Sequence, residues 1–254
     1  MIPSAFISHG APDRILGRSA AKDFIENFST LIEKPKAILV VSAHWMSRKI
    51  TLTDTGKHQT IYDFGGFDPV LSQIVYSAEQ PEWLTTLVEK CLTNHGENYE
   101  IKKRGLDHGA WTILAMAYPA ADIPVIGLSL PIYEQMSDYF ALGKKLSGLR
   151  ESGVLILGSG SATHNLGELS FDGITPVWAS VFTLALQQAI EQKDYTSLSD
   201  IYTSLPHAKH AHPTSEHYLP LLVALGAAEN EKTQLIHDSY DFGSLNNSSW
   251  LFGD

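Results

Sequence analysis

The chain has 254 residues, of which 44% are hydrophobic and 18% are charged, a globular composition that excludes intrinsic disorder. Its formal net charge of −10 argues against nucleic acid and anionic membrane surfaces as partners, because both require a basic face. The single cysteine, Cys91, excludes an intramolecular disulfide and cysteine-rich zinc modules. No signal peptide or membrane-length apolar run can be read, so we predict a cytoplasmic location.

Apolar, β-branched runs alternate with segments of helical periodicity along the chain. Strands are predicted at Ile2–Ser8, Ala37–Ala43, Ile123–Leu130 and Val154–Ser159, with a further strand ending at His237. Helices are predicted at Ala20–Ile32, Glu82–Asn94, His108–Tyr118, Tyr133–Arg150, Val177–Gln192 and Glu216–Leu225. The stretch from Ser47 to Pro81 is expected to carry a β excursion and a functional loop. This alternation predicts an α/β fold around a largely buried sheet, in a single domain spanning residues 1–254.

Histidines follow three of the predicted strands. His9 comes after the first strand, His44 after the second, and His164 shortly after the strand at Val154. Ligands of open α/β sheets bind beyond the carboxyl ends of the strands, so these side chains could converge on one pocket. Neutral imidazole is the commonest metal ligand in proteins. The trio therefore indicates a metal site, with hydrogen-bonded turn residues as the alternative interpretation.

Two further histidines stand at predicted helix starts. Thr214 or Ser215 is a plausible N-cap, which would place Glu216 and His217 in the first helical turn, and Asp107 would cap a helix beginning at His108. Five other histidines are expected to be structural or exposed: His58, His95, His207, His210 and His212. For His237, which closes a predicted strand, both interpretations stay open. Those from His207 to His212 are interpreted as a solvated turn.

Common hydrolase and nucleotide-binding signatures are missing. The zinc-protease pattern HExxH does not occur, and no G-x-S-x-G elbow presents a nucleophilic serine. The Gly158–Ser161 segment has glycines after a strand but lacks the rest of a phosphate-binding loop.

Six short motifs, in order along nearly the whole chain, resemble one known family. They are Ser8–Pro12, Ser42–Trp45, Asp63–Phe67, Asp107–Trp111, His164–Leu166 and Pro213–Pro220. Together they are similar to the DODA-type (4,5-DOPA extradiol dioxygenase) branch of the class III extradiol ring-cleavage dioxygenases, the LigB superfamily. This resemblance implies a single α/β domain with a central mixed β-sheet flanked by helices.

The resemblance also implies residue roles. His9, His44 and His217 would be the metal ligands, and His164 would be the acid/base residue, or a fourth ligand if zinc occupies the site. His108 would help to orient the substrate and O₂. Better-known members of the superfamily use two histidines and a glutamate, so the choice between Glu216 and His217 as the ligand stays open.

The chemistry implied is cleavage of a catechol by O₂ at a non-haem Fe(II) centre, giving a ring-opened semialdehyde. Trp45, Phe64, Phe67 and Trp111 could form the pocket wall, although ordinary core packing explains each equally well. An all-histidine ligand set also suits zinc, so a zinc-dependent hydrolase on the same scaffold is the alternative function. A non-catalytic binding protein with a similar fold is a third hypothesis, and the oligomeric state is left open.

Overall fold

An eight-stranded sheet runs through the centre of a computed structural model that describes residues 1–253. In chain order the strands are β1 (Ser4–Ser8), β2 (Ala37–Ser47), β3 (Ile50–Thr53), β4 (Gly56–Lys57), β5 (Glu79–Gln80), β6 (Tyr99–Lys102), β7 (Val125–Pro131), β8 (Val154–Gly160), β9 (Thr233–His237), β10 (Tyr240–Asp241), β11 (Leu245–Asn246) and β12 (Ser249–Phe252). The order across the sheet is β6-β3-β7-β2-β8-β1-β12-β9, while β4 with β5 and β10 with β11 form separate two-stranded pairs.

The sheet is mixed, with a parallel centre. The neighbours β7, β2, β8 and β1 pair in parallel, whereas β3 joins β7 and β12 joins β1 in antiparallel fashion. The carboxyl ends of the four central strands therefore share one edge, as the strand-end histidines require. The predicted fold class, an α/β domain with a mixed sheet flanked by helices, is confirmed.

Helices cover both faces of the sheet. They are α1 (Ala20–Asn27), α2 (Glu82–Asn94), α3 (His108–Ala117), α4 (Ser137–Leu146), α5 (Val177–Glu191), α6 (Tyr195–Leu198), α7 (Ile201–Ser204), α8 (Ala208–Ala211) and α9 (Leu219–Gly226). Short 3₁₀ turns occupy Pro12–Ile15, Phe28–Thr30, Pro69–Gln73, Ser147–Leu149 and Leu166–Glu168. Within residues 1–253, no helix is long and apolar enough to cross a membrane.

The central strands are apolar on both sides because both sides are buried. In β2, Leu39 and Val41 face a core shared with α2, α4 and α9, and Ile38 and Val40 face a core shared with α1 and α3. Continuous apolar runs are typical of such doubly covered parallel strands. This is why the sequence pattern located the four central strands, although β2 continues to Ser47, four residues beyond its predicted end.

Three helices differ from the sequence prediction by more than one residue at an end. Helix α1 ends at Asn27, whose side chain donates to the Asp23 carbonyl, and continues only as a 3₁₀ turn. Helix α4 is likewise shorter than Tyr133–Arg150. Helix α9 begins at Leu219 rather than Glu216, since Pro220 fits only the first turn of a helix. Glu216 and His217 therefore lie in the preceding turn, and the prediction that both are helical was wrong.

Helices α4 and α9 cross at very close range. A Cβ atom built on Gly143 of α4 would lie 2.1 Å from the carbonyl oxygen of Val223 in α9. Only glycine permits this approach of the two backbones. The crossing fixes the position of α9, and with it the turn that carries His217.

We expect Gly143→Ala to lower the free energy of unfolding by about 1–3 kcal/mol, because the added methyl group forces the helices apart. Urea denaturation monitored by circular dichroism measures this change. Gly148→Ala is the matched control, since a Cβ atom at Gly148 meets nothing within 4 Å. A Gly143→Ala variant as stable as the parent would show that the crossing has room for a side chain.

Candidate active site

Three elements bring histidines to the carboxyl edge of the central strands. His9 follows β1, His44 lies in the last part of β2, and His217 lies in the turn before α9. The end of β8 supports two of them, because the His9 amide donates to the Gly160 carbonyl at 3.0 Å and the Ser161 amide donates to the His217 carbonyl at 2.9 Å. A Cβ atom on Gly160 would lie 2.1 Å from that His217 oxygen, so glycine is required there.

A break in the pairing of β2 aims the His44 side chain. The register between β2 and β7 shifts between Val41 and Met46, so the strand continues past His44 instead of ending before it as the sequence pattern indicated. Irregularities of this kind re-aim side chains near active sites. The Ser42 hydroxyl accepts from the His44 amide and donates to Asp107, which fixes the distorted segment.

The three imidazole rings meet through their Nε2 atoms. The Nε2 atom of His44 lies 3.1 Å from that of His9 and 3.3 Å from that of His217. At metal–nitrogen distances of about 2.0–2.1 Å, two ligand nitrogens of an octahedral or tetrahedral ion lie about 3.0–3.4 Å apart. The two separations from His44 therefore match the ligand spacing of one metal ion, and ligand atoms of all three histidines lie within 4.8 Å of one another, although their chain positions span almost the whole sequence.

Hydrogen bonds at the far side of two rings determine their tautomers. The Ser159 hydroxyl donates to the Gly109 carbonyl, so it must accept from the Nδ1–H of His9 at 2.9 Å. The Nδ1–H of His217 donates to the Glu216 carboxylate at 3.2 Å. Both rings consequently present an unprotonated Nε2 atom to the centre, which is the form a metal requires.

Burial and crowding favour the neutral form of His9 and His44. Burial lowers the pKa of His9 well below its usual value, and the nearby imidazoles lower it further. Burial, followed by repulsion from His108 and His217, lowers the pKa of His44 to about 3. A neutral imidazole has a lone pair for a metal ion. The donor set, its spacing and its protonation therefore fit a divalent transition metal.

His164 and Glu216 lie at the side of this cluster. The His164 ring stacks on the His217 ring with centroids 3.4 Å apart, and burial is the main cause that lowers the pKa of His164 to about 3. His164, Glu216 and His217 form a second group of possible ligand atoms within 4.8 Å of one another. The Glu216 carboxylate accepts from His217 Nδ1 on the side away from His9 and His44.

His108 lies on the opposite side of His44, against Asp63. The Asp63 carboxylate accepts from the His108 amide at 2.9 Å and from the His108 Nδ1 atom at 3.0 Å. The Nε2 atom of His108 therefore points away from Asp63. Burial alone would raise the pKa of Asp63, but hydrogen bonds and attraction from His108 bring it to about 2. In the sequence, Asp63 belongs to the Asp63–Phe67 motif, but nothing there indicates that it contacts a histidine. Its position in a turn-rich aromatic loop is the one sequence feature that could have pointed to a functional role.

The histidines form the floor of a cavity of about 360 Å³. Phe64 and Phe67 line it, as expected, but Trp45 and Trp111 do not. Trp45 lies under the Arg104 guanidinium at 4.8 Å, and buried Trp111 donates to the Ile61 carbonyl. A more open groove of about 750 Å³ elsewhere contains none of the five motif histidines.

The remaining histidines lie away from the floor of the cavity. His58 is buried against the Val125 carbonyl, His95 is exposed at the end of α2, and His237 stacks on Phe24. The prediction of a solvated turn from His207 to His212 was wrong.

Most of the His207–His212 segment forms helix α8. His212 is fully buried and donates from Nε2 to the Ala162 carbonyl, while the carbonyl of Ala211 accepts from the His164 amide. The segment therefore supports the backbone that positions His164. The burial of His212 could not be predicted from the sequence, because contacts with a distant element leave no periodic pattern of apolar residues along the chain.

Comparison with known proteins agrees with this geometry. Residues 3–253 match the family described as the catalytic LigB subunit of aromatic ring-opening dioxygenase. The chain is 43% identical to the 4,5-DOPA dioxygenase extradiol of Beta vulgaris, covering 97% of this chain and 95% of the relative. It is 31% identical to the Escherichia coli K12 protein of the same name, covering 99% of this chain and 95% of the relative.

A solved structure of an uncharacterized protein from Escherichia coli K12 superimposes with a TM-score of 0.83 at 30% identity, covering all of both chains. The fold, the motif order and the sequence similarity point to the same group of proteins. The chain therefore belongs to the LigB family of aromatic ring-opening dioxygenases and is an extradiol dioxygenase.

Proposed function

We propose that this enzyme opens the ring of a catechol such as 4,5-DOPA beside its diol, inserts both atoms of O₂ and uses Fe(II). The observation that carries the proposal is the convergence of three histidine Nε2 atoms at the floor of an apolar cavity, with two further histidines beside them. The names of the Beta vulgaris and Escherichia coli relatives support 4,5-DOPA as the substrate. We also propose that residues 1–254 form one catalytic domain. The cytoplasmic location stays a prediction.

In this proposal His9, His44 and His217 hold the metal on one side and leave its cavity side open. Bound Fe(II) would supply coordination for both catechol oxygens and for O₂. Glu216 acts behind His217, where its carboxylate accepts the Nδ1 proton and fixes the ring. Such an outer hydrogen bond raises the basicity of the ligating nitrogen.

His164 is the proposed acid/base residue. Its imidazole is neutral at physiological pH because burial lowers its pKa, so a ring nitrogen can accept a phenolic proton from the substrate. Its ring has no hydrogen-bond partner among residues 1–253, and it lines the cavity. The stack on His217 holds it parallel to a proposed ligand. If zinc occupies the site, the same position lets His164 serve as a fourth ligand.

His108 is proposed to orient the substrate and O₂ through its Nε2 atom. Asp63 accepts from the Nδ1–H of His108, which leaves the Nε2 atom for a contact with the substrate or O₂. Phe64 packs edge-on against the His108 ring with centroids 5.7 Å apart, and Phe67 packs on Phe64. These rings exclude water from the side of the cavity where His108 acts.

Reconstitution of the apoprotein under anaerobic conditions tests the reaction and the metal together. We expect Fe(II)-loaded protein to consume O₂ and form a yellow ring-opened product from 4,5-DOPA, whereas Zn(II)-loaded protein should not, because zinc has no redox chemistry. An oxygen electrode and the visible spectrum provide the measurements. Stoichiometric Fe(II) without O₂ uptake on any of a panel of catechols would favour the zinc-dependent hydrolase instead.

Variants of two histidines separate ligand from acid/base roles. We expect His44→Ala to lose metal, because its Nε2 lies between the other two ligand nitrogens. His164→Ala should retain metal and lose about 10²–10⁴-fold in kcat, the usual contribution of a general acid/base. Metal content by mass spectrometry and steady-state kinetics measure both effects. Exposed His95→Ala is the control, and equal metal loss in the His44 and His164 variants would refute the acid/base role.

Asp63→Asn tests how His108 is positioned. We expect about 10–100-fold lower kcat with unchanged metal content, since the variant loses the charge that fixes the His108 tautomer. Asp68→Asn is the matched control: its carboxylate lies in the same loop and only caps the 3₁₀ turn at Val70. Metal loss in Asp63→Asn comparable to that in His44→Ala would show that Asp63 supports the metal site itself.

A further inference from the structure

The walls of the cavity are apolar and aromatic above the histidine floor. Nine side chains form these walls: Ala11, Pro12, Phe64, Phe67, Leu166, Leu169, Phe171, Phe242 and Leu245. Apart from the histidines, Asp13 is the one charged residue in the lining formed by residues 1–253. A substrate side chain that extends from the floor therefore meets hydrocarbon, aromatic rings and one carboxylate.

From this asymmetry we propose that the enzyme selects catechols whose side chain carries an ammonium group, and that Asp13 is the residue that recognises this charge. The inference rests on the proposed catechol cleavage and specifies the substrate class of that same cavity. Asp13 belongs to the Pro12–Ile15 turn, four residues after His9, so it sits on the segment that leads away from the proposed metal ligands.

The Asp13 carboxylate is available for a ligand. Its side chain is exposed, and within residues 1–253 it forms no hydrogen bond or ion pair. Arg14 is next to it in the chain, but the Arg14 guanidinium is buried and turned to the Asp241 carboxylate and the Asn247 side-chain oxygen. The Arg14 guanidinium thus forms its ion pair with Asp241, and no direct contact occupies the Asp13 carboxylate among residues 1–253.

Nothing comparable is available for a substrate carboxylate. The Ser161 hydroxyl donates to the Thr163 carbonyl at 2.7 Å, and the Asn247 amide nitrogen lies 3.4 Å from the Ser239 hydroxyl. The lining within the described residues contains no lysine or arginine. A carboxylate drawn into these apolar walls would lose its hydration without gaining a charged partner, which is costly.

The aromatic rim favours the same sign of charge. Phe67, Phe171 and Phe242 line the cavity and are 38%, 84% and 38% exposed. The faces of aromatic rings attract ammonium groups and repel carboxylates. The net charge of −10 adds a longer-range negative potential, which also attracts an ammonium group. For a zwitterionic side chain such as that of DOPA, the ammonium group would contact Asp13 while the carboxylate stays in water.

Four catechols with side chains of similar size test the inference: dopamine, L-DOPA, 4-ethylcatechol and 3,4-dihydroxyphenylacetate. We would measure their Kd values on the metal-loaded protein without O₂, and then kcat/KM with O₂. We expect dopamine to bind about three- to fivefold more tightly than 4-ethylcatechol, the size of one partly exposed charge pair. We expect the anionic 3,4-dihydroxyphenylacetate to bind at least about three- to fivefold more weakly than 4-ethylcatechol. Both differences in Kd should shrink at high salt.

Asp13→Asn should remove most of the preference for dopamine over 4-ethylcatechol, because the aromatic rim and the net charge supply only the remainder. It should leave the affinity for 4-ethylcatechol itself within about twofold, because no charge acts on the neutral side chain. Glu151→Gln is the control: it removes the same charge from an exposed position before β8, at the opposite edge of the sheet. That variant should retain the parent's preference.

The outcomes separate the two proposals. Equal affinity for all four catechols, tighter binding of the acid, or an unchanged preference in Asp13→Asn would overturn the selectivity while O₂ uptake still supported catechol cleavage. Absence of O₂ uptake with every catechol would overturn the proposed function. The anaerobic Kd series would still decide whether Asp13 recognises the ammonium group, because it needs no turnover.

Discussion

The imidazole rings of His9 and His217 both point lone pairs at the centre of the histidine cluster and repel, so a fold that gathers these rings must hold each one from behind. Here the Ser159 hydroxyl holds His9, the Glu216 carboxylate holds His217, and a distorted strand presents His44 between them. These three supports come from different parts of the fold: Ser159 from the end of β8, Glu216 from the turn before α9, and the distorted segment from β2. The repulsion becomes attraction when a cation lies between the nitrogens, which explains why this arrangement suits a metal centre.

Burial and the placement of nearby carboxylates also suit the histidine cluster to a metal ion. Burial disfavours protonation of His9, His44 and His164, which leaves them able to bind a metal or accept a proton. The negative groups Asp63 and Glu216 contact Nδ1 atoms and do not intrude among the Nε2 atoms. Above the floor the walls are apolar, so the charge that reaches a substrate side chain comes from the rim. The two proposals therefore place the chemistry at the histidine floor and the selectivity at the rim of the same cavity.

The positions of the motif histidines could be predicted because the secondary structure around them is local. Apolar runs mark the parallel strands, and His9 and His164 follow such runs directly. The partners of the histidines could not be predicted in the same way. Asp63 reaches His108 from a loop 45 residues earlier, and His212 is buried by contacts with Ala162 and its neighbours. Such pairings depend on how loops dock, which no periodicity encodes.

For the aromatic residues, too, position in the sequence could be read directly, whereas the direction of each ring depended on tertiary packing. Trp45 and Trp111 stand beside motif histidines in the sequence, yet their rings pack under Arg104 and in the core, while Phe64 and Phe67 face the cavity. Sequence alone determined the α/β class, the family and the histidines that meet at the sheet edge, because strand periodicity and motif order are properties of the chain. Only the tertiary structure decided the ring tautomers, the place of Glu216 behind His217 and the lone carboxylate of Asp13 in the apolar cavity lining. Those features arise from contacts between distant segments, and packing sets their geometry.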